Sequence, residues 1–391
     1  MEHQQLKREL GLGGAVVTGL GSIVGTGAFV AIGIASGMWG DLVLWAIPIA
    51  AVVAVFNGLS SALLAGRFPV AGGTYEYGYQ TLNQWFGFSA GWLFLLAKTA
   101  SAATAALGVA LYLGLDHPLV PIGAVALVVT LVIAGIRRTA LVNALLVAIT
   151  VAAIAWFSVS GLTDSSWSGI DLDGLGADLL GAVAFLFVAY TGYGRIATLG
   201  EEVKDPARVI PKAVIITLAV AAVLYMAIEL GGRARAGPDW GALIELGFVD
   251  MPLVTVGAVT AMLGVLLNLI LGLSRVWLAM GRRGDMPPVL ARLDARSEPL
   301  GAIALSGVLV AALTLIGDIG LAWSFSAMTV LLYYGLTNLS ALAVDRRRPT
   351  AWLGMASCLF LSFFVPLGVW LAGAGLLALG LLWKTVYTRT A

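Results

Sequence analysis

The sequence predicts an all-α polytopic membrane protein with about twelve transmembrane helices, the first and sixth of them broken. Three observations predict it. Of the 391 residues, 60% are hydrophobic and 11% charged, with a mean hydropathy of +0.97; a soluble domain cannot hide so much apolar surface. Apolar segments of about 20 residues, each long enough to cross a bilayer, recur from end to end. Glycines also gather at mid-depth in two of these segments. A membrane helix opens its backbone there only where protein or a cavity covers the freed N–H and C=O groups.

The same composition excludes other classes. The single cysteine, Cys358, lies in an apolar run, so neither a disulfide nor a Cys-ligated metal site is expected. Both histidines, His3 and His117, fall outside the spans, and no carboxylates pair within one. A membrane-embedded enzyme would need such groups, so no catalytic residue, cofactor or metal is expected. No span carries the polar stripe of a channel. The net charge of +1 says nothing by itself about partners, and no nucleic acid is expected.

The polar opening, residues 1–10, reads as a cytoplasmic tail without cleavage. Spans follow at 11–37, 41–66, 86–113, 119–136, 140–161, 178–199, 212–232, 252–280, 300–317, 320–343, 350–366 and 368–387. The last two share one apolar stretch divided near Pro366. With the N-terminus inside, 17 of the 22 Lys and Arg fall on the inner side. Arg233 and Arg235 alone fall outside, and Lys98, Arg195 and Arg275 lie within spans. That bias puts both termini in the cytoplasm, and the plasma (inner) membrane is the expected location. The outer segment 162–177, with Asp164, Asp171 and Asp173, reads as a solvated linker.

The first interruption is Gly19-Leu-Gly-Ser-Ile-Val-Gly-Thr-Gly-Ala-Phe29, in the middle of span one. Two half-helices meeting at such a break turn their backbone dipoles on a polar guest. The second is Phe187-Val-Ala-Tyr-Thr-Gly-Tyr-Gly194, five spans later. Matching breaks five spans apart divide the chain into two five-helix repeats, 11–161 and 178–343, in opposite orientations. Residues 350–391 then hold two peripheral helices and a tail. Inverted repeats place a solute site between the two broken helices.

These residues resemble those of a known family. Gly21-Ser-Ile-Val-Gly-Thr-Gly-Ala-Phe29 is similar to the first-helix signature of the amino acid–polyamine–organocation permeases. Phe68-Pro-Val-Ala-Gly-Gly-Thr-Tyr-Glu-Tyr77 and Gly87-Phe-Ser-Ala-Gly-Trp92 follow in register. So do Ala189-Tyr-Thr-Gly-Tyr193, Glu201-Glu-Val-Lys-Asp-Pro206, and Ser274-Arg275 with Gly284-Asp-Met-Pro287. The resemblance implies a LeuT-type 5+5 inverted repeat. It also implies an amino-acid permease working by alternating access, proton-coupled or an exchanger. Export of hydrophobic amino acids, or transport of polyamines or other organocations, are the alternatives it leaves.

The resemblance further implies that the substrate carboxylate meets the N–H groups of Gly25, Thr26 and Gly27. The ammonium would meet freed carbonyls near Ile23 and near Val188, Ala189 and Thr191. The physics agrees, because a zwitterion needs donors at one end and acceptors at the other. The glycines have a second reading as close helix packing. The Thr26 hydroxyl either joins the site or bonds back to its own helix. Many relatives carry a gating aromatic where Val188 stands; Phe187 is the candidate to replace it, and Tyr193 is a further gating candidate. Lys98 sits in span three, where a lysine costs several kcal/mol unless paired or wetted. It either couples transport to protons, in place of the lysine that relatives carry at the position of Thr150, or snorkels to the interface. Arg195 either pairs with Glu201 or Glu202 or serves an inner gate, and Glu229 reads as a wetted outer carboxylate, with proton carriage as the second reading. Asn57, Asn268 and Asn338 read as interhelical hydrogen bonds, and Arg275 and Asp285 as ordering an inner loop. The expected partners are an amino acid, the lipid bilayer and protons, with no obligatory disulfide-linked subunit.

Overall fold

A computed structural model describes residues 10–68, 72–135, 140–163, 175–197, 203–237, 240, 251–294 and 298–390. Residues 1–9 of the tail, the acidic stretch 164–174, and Glu201 and Glu202 lie outside the described residues. Those described form helices and turns, plus one isolated parallel bridge between Leu10 and Val203.

Span one is α1 (Leu12–Ile23), a π-helical stretch Gly27–Ala31, and α2 (Ile32–Trp39). A 3-10 turn, Gly40–Leu42, leads into α3 (Val43–Arg67), and the short α4 (Thr74–Thr81) follows. Then come α5 (Gln84–Tyr112), α6 (Leu119–Ile133) and α7 (Ala140–Thr163). Span six is α8 (Ala177–Tyr190), a 3-10 turn Thr191–Tyr193, and α9 (Gly194–Ala197). The rest are α10 (Pro206–Ala236), α11 (Pro252–Arg283), α12 (Leu300–Thr314), α13 (Ile319–Val344), α14 (Pro349–Ser362) and α15 (Leu367–Thr390). Helix occupies every one of the twelve predicted segments. The division near Pro366 is present, because proline supplies no N–H to carry α14 onward.

Among the described residues, eight helical runs are long and apolar enough to cross a membrane. The first, Gly27–Arg67, joins the second half of span one to span two. Large apolar side chains such as Trp45, Val52, Leu145, Trp156, Val159 and Val223 are exposed on the outside of the bundle. In water they would be a liability, whereas against lipid they are the expected surface of a multi-pass membrane protein.

Small residues set the packing. On α5, Ala97, Ala100, Ala102, Ala103, Ala105 and Ala106 are fully buried, so neighbouring backbones come close. At the contact of α7 with α10, a Cβ on Gly161 would fall 2.0 Å from the Gly231 carbonyl oxygen. Polar side chains add interhelical bonds, as expected for Asn57 and Asn338. Asn338 Nδ2 donates to Asn57 Oδ1 at 2.6 Å, and the Ser101 and Ser326 hydroxyls are 2.7 Å apart.

Candidate functional site

The glycine run opens helix one where the sequence places the break. The last bond of α1 is Val24 N–H to Leu20 O, at 2.8 Å. Gly25 N–H then turns back on Ile23 O at 3.1 Å, and the second half closes its first turn with Phe29 N–H to Gly25 O at 3.0 Å. The N–H groups of Thr26, Gly27 and Ala28 are therefore first-turn donors without an intrahelical acceptor, at the positive end of a helix dipole. Thr26 Oγ1 is buried among them and has no hydrogen-bond partner among the described residues. Close approach explains the glycines. A Cβ on Gly25 would fall 2.5 Å from Val265 Cγ2, and one on Gly27 would fall 2.9 Å from the Ala189 Cβ of span six.

Helix six differs from the expectation. It tightens into the 3-10 turn Thr191–Tyr193 and resumes at Gly194, instead of unwinding. Hydroxyls cover the carbonyls that this turn frees. The Thr191 hydroxyl donates to Val188 O at 2.8 Å, Tyr225 Oη to Ala189 O at 2.9 Å, and Tyr334 Oη to Thr191 O at 3.2 Å. The two breaks also pack directly on each other, since a Cβ on Gly192 would fall 2.2 Å from Ser22 O.

Tyr225 is the residue that the sequence reading missed. Its hydroxyl lies 3.0 Å from Ile23 O as well as 2.9 Å from Ala189 O, so one phenol on α10 serves a freed carbonyl in each broken helix. The available signal was a lone tyrosine in the middle of an apolar span.

Ile23, Gly25, Thr26, Gly27, Ala189 and Thr191 thus come together around the two breaks, with Val188 contributing its carbonyl. Lys98 joins them. It is 9% exposed, and its Nζ donates to Thr191 Oγ1 at 3.3 Å, so it does not snorkel. Phe187 is fully buried, with its ring edge-on to Tyr334 at 5.8 Å. Tyr193 packs on the same ring at 5.3 Å. Thr150 is buried, and its hydroxyl bonds back to Leu146 O at 2.8 Å on its own helix. Arg195 is exposed on α9, and the acids expected to pair with it lie outside the described residues. Beside the helix-one break, a cavity of about 10 Å³ is lined by Ala28, Phe29, Tyr112, Ile154, Ile228 and Trp240. It has room for about one water.

An ionic cluster lies at each end of the bundle. At the basic end, Asp285 accepts from Tyr75 at 2.8 Å, Tyr79 at 2.6 Å and Lys384 at 2.8 Å, and Arg283 pairs with Glu76 alongside. Asp285 does order this loop, and Arg275 helps by pairing with Glu298 at 3.5 Å. Burial, and then the Asp285 carboxylate, push the Tyr75 and Tyr79 phenols well above their usual range, so both remain donors. At the other end, Arg233 pairs with Asp41 and stands 4.0 Å from Glu229. Glu229 is 0% exposed, which corrects its reading as a wetted carboxylate. Trp240, from beyond the end of α10, covers it and donates to its Oε2 at 3.0 Å.

Apolar helices around two facing backbone breaks, with an ionic cluster at each end, define a polytopic membrane transport protein. The chain belongs to the amino acid permease family, whose model matches residues 14–232 and 249–390. It is 42% identical to an uncharacterised transporter of Mycobacterium tuberculosis (strain ATCC 25618 / H37Rv), over 96% of this chain and 90% of that one. It is 28% identical to a vacuolar cationic amino acid transporter of Arabidopsis thaliana, over 81% of this chain and 59% of that one. It is 26% identical to a branched-chain amino acid permease of Bacillus subtilis (strain 168), over 76% and 72% respectively.

Proposed function

We propose that this transporter carries amino acids by alternating access, as a proton-coupled carrier or an exchanger. In this reading the chain is a 5+5 inverted repeat with spans eleven and twelve outside it. The basic end and both termini face the cytoplasm of a plasma (inner) membrane. The bundle around spans one and six rocks against the remaining helices, and no covalent chemistry occurs.

One observation carries the reading. The break in helix one leaves backbone donors without intrahelical acceptors, and one hydroxyl, that of Tyr225, lies on a carbonyl of each broken helix. The substrate carboxylate takes the N–H groups of Thr26, Gly27 and Ala28, and the Thr26 hydroxyl, which is buried without a partner among the described residues, adds a further donor. The ammonium takes Ile23 O and Ala189 O, replacing the Tyr225 hydroxyl there. Backbone groups thus compensate a zwitterion without a formal charge. Lys98 supplies a fixed or titrating cation beside the span-six turn.

The test is a thermal-shift screen of purified protein against the twenty amino acids and common polyamines, followed by counterflow in proteoliposomes. At least one amino acid should raise the melting temperature and exchange across the bilayer. Stabilisation by none of them overturns the reading.

A further inference from the structure

Three ionisable side chains are sealed at the end of the bundle opposite the basic one. Asp41, in the turn between α2 and α3, is 7% exposed, Arg233 on α10 is 3% and Glu229 is 0%. Arg233 pairs with Asp41 and stands 4.0 Å from Glu229, one turn earlier on its own helix. Glu229 is held mainly by neutral groups: Trp240 Nε1 donates to Oε2, and Ser36 Oγ lies 3.5 Å from Oε1. On the α7 side, Ser160 accepts from Arg235, whose guanidinium lies over the Phe157 ring. Among the described residues, the charged groups facing Glu229 are therefore Arg233 and Asp41.

Two carboxylates share one guanidinium. If both are ionised, a net negative charge is buried where charge is costly. The stretches that follow α7 and α10 in sequence, 164–174 and 238–250, contain Asp and Glu but neither Lys nor Arg. One proton removes the excess. Asp41 holds Arg233 directly, which leaves Glu229 to take the proton. Its neighbours suit a neutral carboxyl, because Trp240 needs only an acceptor and the Ser36 hydroxyl accepts as readily as it donates.

We infer that Glu229 is a proton-binding site that latches the outer gate. With the proton on, Arg233 stays on Asp41 and ties span seven to the corner between spans one and two. With the proton off, the carboxylate draws Arg233 along its own helix and the tie between helices loosens. The proton comes from the outer water and returns to it, and no other bond forms or breaks. The inference rests on the transporter reading for its gate, and it involves a different residue from Lys98.

The test follows access from outside. In a Cys358→Ser background, Ile228→Cys places a thiol on the cavity beside Phe29. Right-side-out vesicles are treated with a membrane-impermeant methanethiosulfonate across a pH series. Rates are divided by those of the exposed control Leu115→Cys, which cancels the titration of the thiol itself. The normalised rate should fall about tenfold per pH unit on the acid side, the slope of a single proton. Adding Glu229→Gln should hold it at the acid level throughout. In parallel, infrared spectra of the purified wild type at neutral pH should contain a protonated-carboxyl band that Glu229→Asp shifts. This second readout stands even if Glu229→Gln fails to fold. PH-dependent labelling that survives Glu229→Gln, or a wild type without that band, overturns the inference. Neither readout needs a transported substrate, so the proton site can fail while amino-acid transport stands, and the reverse.

Discussion

Lys98 Nζ, from span three, donates to the Thr191 hydroxyl at the turn of span six, 3.3 Å away. Thr191 is its one hydrogen-bond partner among the described residues. An ammonium has three donors, so this buried lysine is under-solvated, and a purely structural role would be an expensive one. Lys98→Met keeps the volume and removes the charge. It should melt at or above the wild-type temperature while amino-acid counterflow falls about tenfold or more, a loss of about 1.4 kcal/mol. A variant that melts lower and still transports at the wild-type rate would make Lys98 structural.

Tyr225→Phe separates the cost of the breaks from the gain on binding. Without the hydroxyl, Ile23 O and Ala189 O lose a partner, at a cost of roughly 1–3 kcal/mol. The ligand-free protein should therefore melt lower. A substrate ammonium no longer competes with the phenol, so the thermal shift at saturating amino acid should exceed that of the wild type. An unchanged shift would show that the ammonium binds elsewhere.

Gly192→Ala drives a Cβ to 2.2 Å from Ser22 O, a backbone atom that cannot move aside alone. Overpacking of this kind costs roughly 1–3 kcal/mol, and the two breaks should no longer seat together. Gly194→Ala, 3.2 Å from the Tyr334 hydroxyl, is the milder neighbour. Melting curves should show a clear drop for the first and a small one for the second.

Lys384 and Asp285 are 2% and 4% exposed, so removing either partner leaves a buried charge. Lys384→Met or Asp285→Asn alone should cost about 3–5 kcal/mol, and the pair together should recover part of that loss. The phenols beside them resist ionisation in the folded state. Their folded value lies above the unfolded one of about 10, so their stabilisation is present below about pH 10 and fades as pH rises past it. Melting should therefore be insensitive to these groups near neutrality and fall in strong alkali.

The helix pattern was legible because length and hydropathy are local properties, and the break in helix one because four glycines sit within nine residues, Gly19 to Gly27. Helix six was legible only as a weak point. Whether its turn unwinds or tightens depends on Tyr225 and Tyr334, which belong to other helices. Lys98 stood out by its cost, but its partner, 93 residues away, did not. Glu229 was misread because its sequence position near a span end suggests water, whereas Trp240 and α2 fold over it. The pairing of Asp41 with Arg233 links residues 192 apart, and no local pattern marks it.

The last helix was expected to be an accessory outside the working core. Yet Trp383 and Lys384 both hold Asp285, and the ammonium lies over the rings of Tyr79, Trp85 and Phe88. Trimming the chain after span ten, or fusing a bulky reporter tightly to its carboxyl end, would therefore disturb the Asp285 cluster itself. Designs for expression and imaging should leave a generous spacer beyond Thr390.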